Sequence, residues 1–101
     1  MANITLRVTD RTRAQGHLEP LLVEMPSVTT GKYAFARVIE ALGGDSDAVV
    51  GYLAPVATLQ KYPSPPVLET TPDYALQDDE IVADWDGRLV VPLVRPNYEE
   101  R

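Results

Sequence analysis

The stretch Thr29-Thr30-Gly31-Lys32-Tyr33-Ala34-Phe35-Ala36-Arg37-Val38-Ile39-Glu40-Ala41-Leu42-Gly43-Gly44 decides how the rest of this 101-residue chain can be arranged. Phe35, Val38, Ile39 and Leu42 fall at i, i+3, i+4 and i+7 and so form one apolar stripe, with Lys32, Arg37 and Glu40 outside it. The spacing predicts a helix over residues 30–42 that needs an apolar surface to lie against. Thr29 or Thr30 can cap its first amides, and Gly43-Gly44 offers a residue able to take the left-handed conformation that ends a helix.

Upstream, Ile4, Leu6 and Val8 alternate with Thr5, Arg7 and Thr9, the period of a strand with one buried face. Residues 10–17 are polar, carry Gly16 and read as a hairpin loop. Leu21, Val23 and Met25 then mark a second, antiparallel strand bracketed by Pro20 and Pro26. Downstream, Val49-Val50-Gly51-Tyr52-Leu53 reads as a third strand. Pro55, Pro63, Pro65, Pro66 and Pro72 make residues 55–72 a long proline-rich loop, pinned to the body by Leu59, Tyr62, Val67 and Leu68. Residues 73–79 read as a turn of helix or a tight turn ahead of a strand. Residues 80–85 and 88–94 read as strands joined by Asp86-Gly87, a two-residue hairpin connection, although Pro92 cannot donate a ladder bond.

The order strand, strand, helix, strand, loop, strand, strand resembles the β-grasp, the fold of the ubiquitin-like proteins. The residues that carry the resemblance are the Ile4–Val8 and Leu21–Met25 strands, the Phe35–Leu42 stripe and Leu76-Gln77-Asp78-Asp79-Glu80-Ile81, similar to the turn approaching the last strand in such domains. It implies an α+β domain over residues 1–96, a mixed sheet of four to five strands packed on one central helix, followed by a polar tail at 97–101. The loop at 55–72 is longer than the family needs, and Asn97-Tyr98-Glu99-Glu100-Arg101 lacks the Gly-Gly ending used for conjugation, so that activity is not implied.

Composition narrows function. With 45% hydrophobic and 24% charged residues the chain is globular, and with no cysteine it has neither disulfides nor thiolate metal sites. No export signal or run of about 18 apolar residues is evident, so the expected location is cytoplasmic. Residues 1–40 hold five basic and four acidic groups; residues 41–101 hold four basic and eleven acidic ones. An acidic second half disfavours nucleic acid as a partner and favours a protein with a basic surface.

No catalytic constellation emerges. His17 is the one histidine, beside Gly16 in an expected loop; with no cysteine in the chain it makes a poor start for a hydrolytic triad or a metal site and reads as a solvated loop residue. Asp45-Ser46-Asp47 and Asp84-Trp85-Asp86-Gly87 resemble pieces of a calcium loop but lack its later oxygen ligands. Pro63-Ser64-Pro65-Pro66 matches the P-x-x-P pattern without the usual basic anchor. The expectation is therefore a non-enzymatic protein-interaction module without cofactor, using an acidic hairpin face of Asp78, Asp79, Glu80, Asp84, Trp85 and Asp86. The alternatives are a structural subunit of a larger assembly, such as a phage virion or secretion apparatus, in which the chain could oligomerise, and an acidic inhibitor that mimics nucleic acid.

Overall fold

The computed structural model describes residues 2–10, 19–61, 67 and 70–96, and the architecture below is that of these residues. The proposed hairpin loop through His17, the P-x-x-P segment and the tail 97–101 lie outside them. The chain forms β1 (Asn3–Val8), β2 (Leu21–Pro26), α1 (Gly31–Ala41), β3 (Val49–Pro55), α2 (Ala57–Lys61), a 3-10 helix (Val82–Trp85) and β4 (Leu89–Pro96). Four strands make one mixed sheet in the order β2-β1-β4-β3: β1 is antiparallel to β2 and parallel to β4, and β3 is antiparallel to β4. This is a small α+β domain. No helix among the described residues is long and apolar enough to cross a membrane.

The alternation in β1 and β2 is the alternation of a sheet covered on one side. Ile4, Leu6, Val8, Val23 and Met25 are buried with Ala34, Phe35, Val38 and Ile39 of α1, and Leu42 packs against the same cluster. Strands β3 and β4 are covered on both sides. Leu53 and Val90 join that first cluster, whereas Tyr52, Ala54, Val91 and Leu93 form a second one with Ala75, against which Leu59 and Val67 pack. Burial on both faces is why β3 reads as an unbroken apolar run instead of an alternating one.

Helix α1 ends as its sequence predicts and begins differently. Gly43 has φ +86°, its N–H donates to the Glu40 carbonyl at 3.0 Å, and the Gly44 N–H donates to the Ile39 carbonyl at 2.9 Å, a complete Schellman stop. At the other end Thr30 is the N-cap without a side-chain hydrogen bond, and the Thr29 hydroxyl donates to the Pro26 carbonyl at 2.7 Å instead. The first helical amides go to backbone carbonyls from far along the chain: Gly31 to Glu80 at 2.8 Å and Lys32 to Asp78 at 3.2 Å.

Two expectations need correction. Residues 80–94 are not a hairpin. Val82 and Trp85 are the buried residues of their segment, while Ile81 and Ala83 face solvent, so the burial period is three and the backbone is a 3-10 helix. Asp86-Gly87 does turn, with Gly87 at φ +76°, but it delivers the chain to β4 in the middle of the sheet, parallel to β1. The loop expected at 55–72 is interrupted by α2 (Ala57–Lys61), where the Leu59 N–H donates to the Val56 carbonyl at 2.9 Å.

Pro92 sits in an internal strand without loss. The Arg7 and Thr9 amides donate to the Arg88 and Val90 carbonyls, and Val56 donates to Leu89, so the even-numbered residues of β4 face β1 and the odd-numbered ones face β3. The missing N–H of Pro92 therefore points past the end of β1, beyond the last paired residue, Val8.

Candidate interaction surfaces

Residues 77–87 form a strap held from several directions. The Glu80 carboxylate accepts from the Gln77 amide at 3.2 Å through Oε1 and from the Trp85 indole N–H at 3.2 Å through Oε2. The Gln77 side-chain amide donates to the Pro72 and Ala75 carbonyls at 2.8 and 3.0 Å. The Val82 N–H donates to the Thr29 carbonyl at 2.9 Å, beside an isolated bridge between Thr30 and Ile81. At the far end the Asp86 carboxylate accepts from the Thr5 amide at 2.9 Å while the Gly87 N–H donates to the Thr5 carbonyl at 2.7 Å. An irregular segment with this many backbone anchors is fixed relative to the sheet and the helix.

The six acidic-face residues divide into two kinds on this strap. Asp78, Asp79, Asp84 and Asp86 are exposed, Asp86 while also bonded to β1. Glu80 is half-buried in the hydrogen bonds above, and Trp85 is 5% exposed, its ring covered by the Arg88 guanidinium at 4.2 Å from the centroid. Trp85 and Glu80 thus hold the strap, and the aspartates are what it displays. Ile81, between them, is 48% exposed. The reading of 80–85 as a strand hid Ile81, because it placed Ile81 and Trp85 on one face.

A concavity of about 530 Å³ lies between α1 and β3, lined by Lys32, Tyr33, Phe35, Asp47, Gly51 and Asp78 among others. Tyr33 is 66% exposed there. Its position off the Phe35–Leu42 stripe was the signal in the sequence that it faces outward.

The remaining candidates have structural roles. Asp45 accepts from the Asp47 amide at 3.0 Å, and Ser46 donates to Glu40 at 3.2 Å, which makes this loop a turn closing behind α1. Among the described residues no group of three or more histidine, aspartate or glutamate side chains is placed to hold a metal ion. The N-terminus of α1 is not an anion site either, since its leading amides are already bonded to Glu80 and Asp78 carbonyls. No protein-family model matches the chain, and no curated protein matches it significantly.

Proposed function

We propose that this chain is a non-enzymatic protein-interaction module of β-grasp architecture, which recognises a basic surface on another protein through Asp78, Asp79, Asp84 and Asp86 set around Ile81. The architecture is supported by the parallel pairing of β1 with β4 at the middle of the sheet, with a hairpin on one side, and by the buried stripe of α1 in the sheet's main core. The observation that carries the function is the strap itself: exposed carboxylates on the same segment as a half-exposed isoleucine, on backbone that is anchored at both ends. Exposed charge beside an exposed apolar side chain, on a segment that has little entropy left to lose, suits a recognition surface.

Charge reversal tests it. Asp79→Lys and Asp84→Lys alter only displayed side chains, whereas a change at Asp86 or Glu80 would also disturb the hydrogen bonds to Thr5 or to Gln77 and Trp85. A partner recovered with the wild-type chain from its host should associate with the double variant about tenfold or more slowly, and with a flatter dependence on salt. An on-rate that does not change removes the strap as the binding surface.

A further inference from the structure

Among the described residues no strand pairs with the outer edge of β3, and the groove beside α1 lies against it at Val49 and Gly51. In the β3–β4 ladder Val50 pairs with Arg95, Tyr52 with Leu93 and Ala54 with Val91, and the Val56 N–H donates to the Leu89 carbonyl at 3.2 Å, so the even-numbered residues of β3 face β4. Val49, Gly51 and Leu53 consequently turn their N–H and C=O groups the other way. The Leu53 carbonyl is taken by the Leu76 N–H at 3.0 Å. Val49 and Gly51 open on the groove, whose opposite wall is the outer side of α1 at Tyr33. Its volume of about 530 Å³ falls within the range of specific ligand clefts, about 300–1,000 Å³. Two carboxylates, Asp47 and Asp78, line it against one cation, Lys32, and the exposed Asp45 and Asp79 adjoin them.

We propose that this groove takes an extended basic segment of a partner protein, added to β3 as a further strand. Its backbone pairs with Val49 and Gly51, alternate apolar side chains lie against Tyr33 and its lysines or arginines meet Asp47 and Asp78. Unpaired backbone groups supply the affinity of such strand addition and the side-chain surroundings supply its selectivity. The opposite edge, β2, is the natural control: it offers Leu22 and Glu24, but Pro26 has no N–H and its carbonyl already accepts from Thr29 at 3.0 Å. The groove shares only Asp78 with the strap, so the two readings stand or fall separately.

The test is a titration of the ¹⁵N-labelled full chain with a capped octapeptide alternating lysine and valine. The largest amide shifts are expected at Val49, Gly51 and Tyr33, with no binding by the glutamate–valine counterpart and about tenfold or greater weakening when the peptide backbone is N-methylated. Asp47→Lys and Tyr33→Ala should each weaken binding while leaving the remaining spectrum in place, and Asp84→Lys should leave it unchanged. Absence of binding, shifts centred on Leu22 and Glu24, or equal binding of the N-methylated peptide overturns the proposal. So does a loss with Asp84→Lys as large as with Asp47→Lys, which would put the peptide on the strap.

Discussion

At Gly31 the absence of a side chain lets two distant parts of the chain meet. Its N–H donates to the Glu80 carbonyl at 2.8 Å, and a β-carbon there would collide with the carbonyl oxygen of Gln77. Gly31→Ala is expected to lower unfolding stability by about 1–3 kcal/mol in urea denaturation, because either the strap or the helix must shift. Gly43→Ala tests a different cause, backbone strain at φ +86°, and should lose about 1 kcal/mol. At Glu80 the carboxylate is the acceptor for the Trp85 indole N–H, so Glu80→Ala leaves that donor unpaired at a residue only 5% exposed. A loss of about 1–3 kcal/mol is expected, together with a red shift in emission, which the lone tryptophan reports without interference. None of these roles can be read from residue type: the Gly31 requirement comes from a carbonyl 46 positions away in the chain, and local spacing carries no trace of it.

The helix shows how far periodicity reaches. Phe35 is 7% exposed and Tyr33, two residues earlier, is 66% exposed. Phe35→Ala should therefore lose about 3–5 kcal/mol, against within about 0.5 kcal/mol for Tyr33→Ala, measured as shifts in denaturation midpoint. The 3.6-residue stripe made this helix legible, and the period of two did the same for β1 and β2, because each buries a single face. Residues 80–85 defeated the same method. Ile81, Ala83 and Trp85 alternate well enough for a strand, but Val82 and Trp85, three apart, are the ones buried, and only the tertiary bonds to Thr29 and Thr5 select that period. The Asp86-Gly87 turn was correctly sensed as a turn; that it leads into a parallel neighbour of β1 depends on contacts across the whole chain. Pro92 looked like an obstacle for a related reason, since a proline's harm depends on which side of the strand its nitrogen faces. Pro92→Val should leave stability within about 1 kcal/mol and, by adding a donor to an unpaired stretch of edge, raise the rate of aggregation in light scattering.

Across the molecule, the β3–β4 half of the sheet is sealed on both faces, and the β1–β2 half on one. Amide hydrogen exchange should follow: Ala54, Val91 and Leu93 belong to the protected half, while Leu22 and Glu24 should exchange early, since their amides turn outward from the edge strand β2. Both acidic surfaces lie on irregular segments whose placement depends on this sheet, and for that reason the individual aspartates were visible in the sequence while the groove between α1 and β3 was not. The position of β4 between β1 and β3 has a bearing on biosynthesis. It is the last of the four strands to leave the ribosome, yet without it the first hairpin and β3 share no hydrogen-bonded neighbour. Translation halted anywhere before Leu89 yields a hairpin and a lone strand with no strand to join them, and a nascent chain must keep both from straying until its final strand emerges.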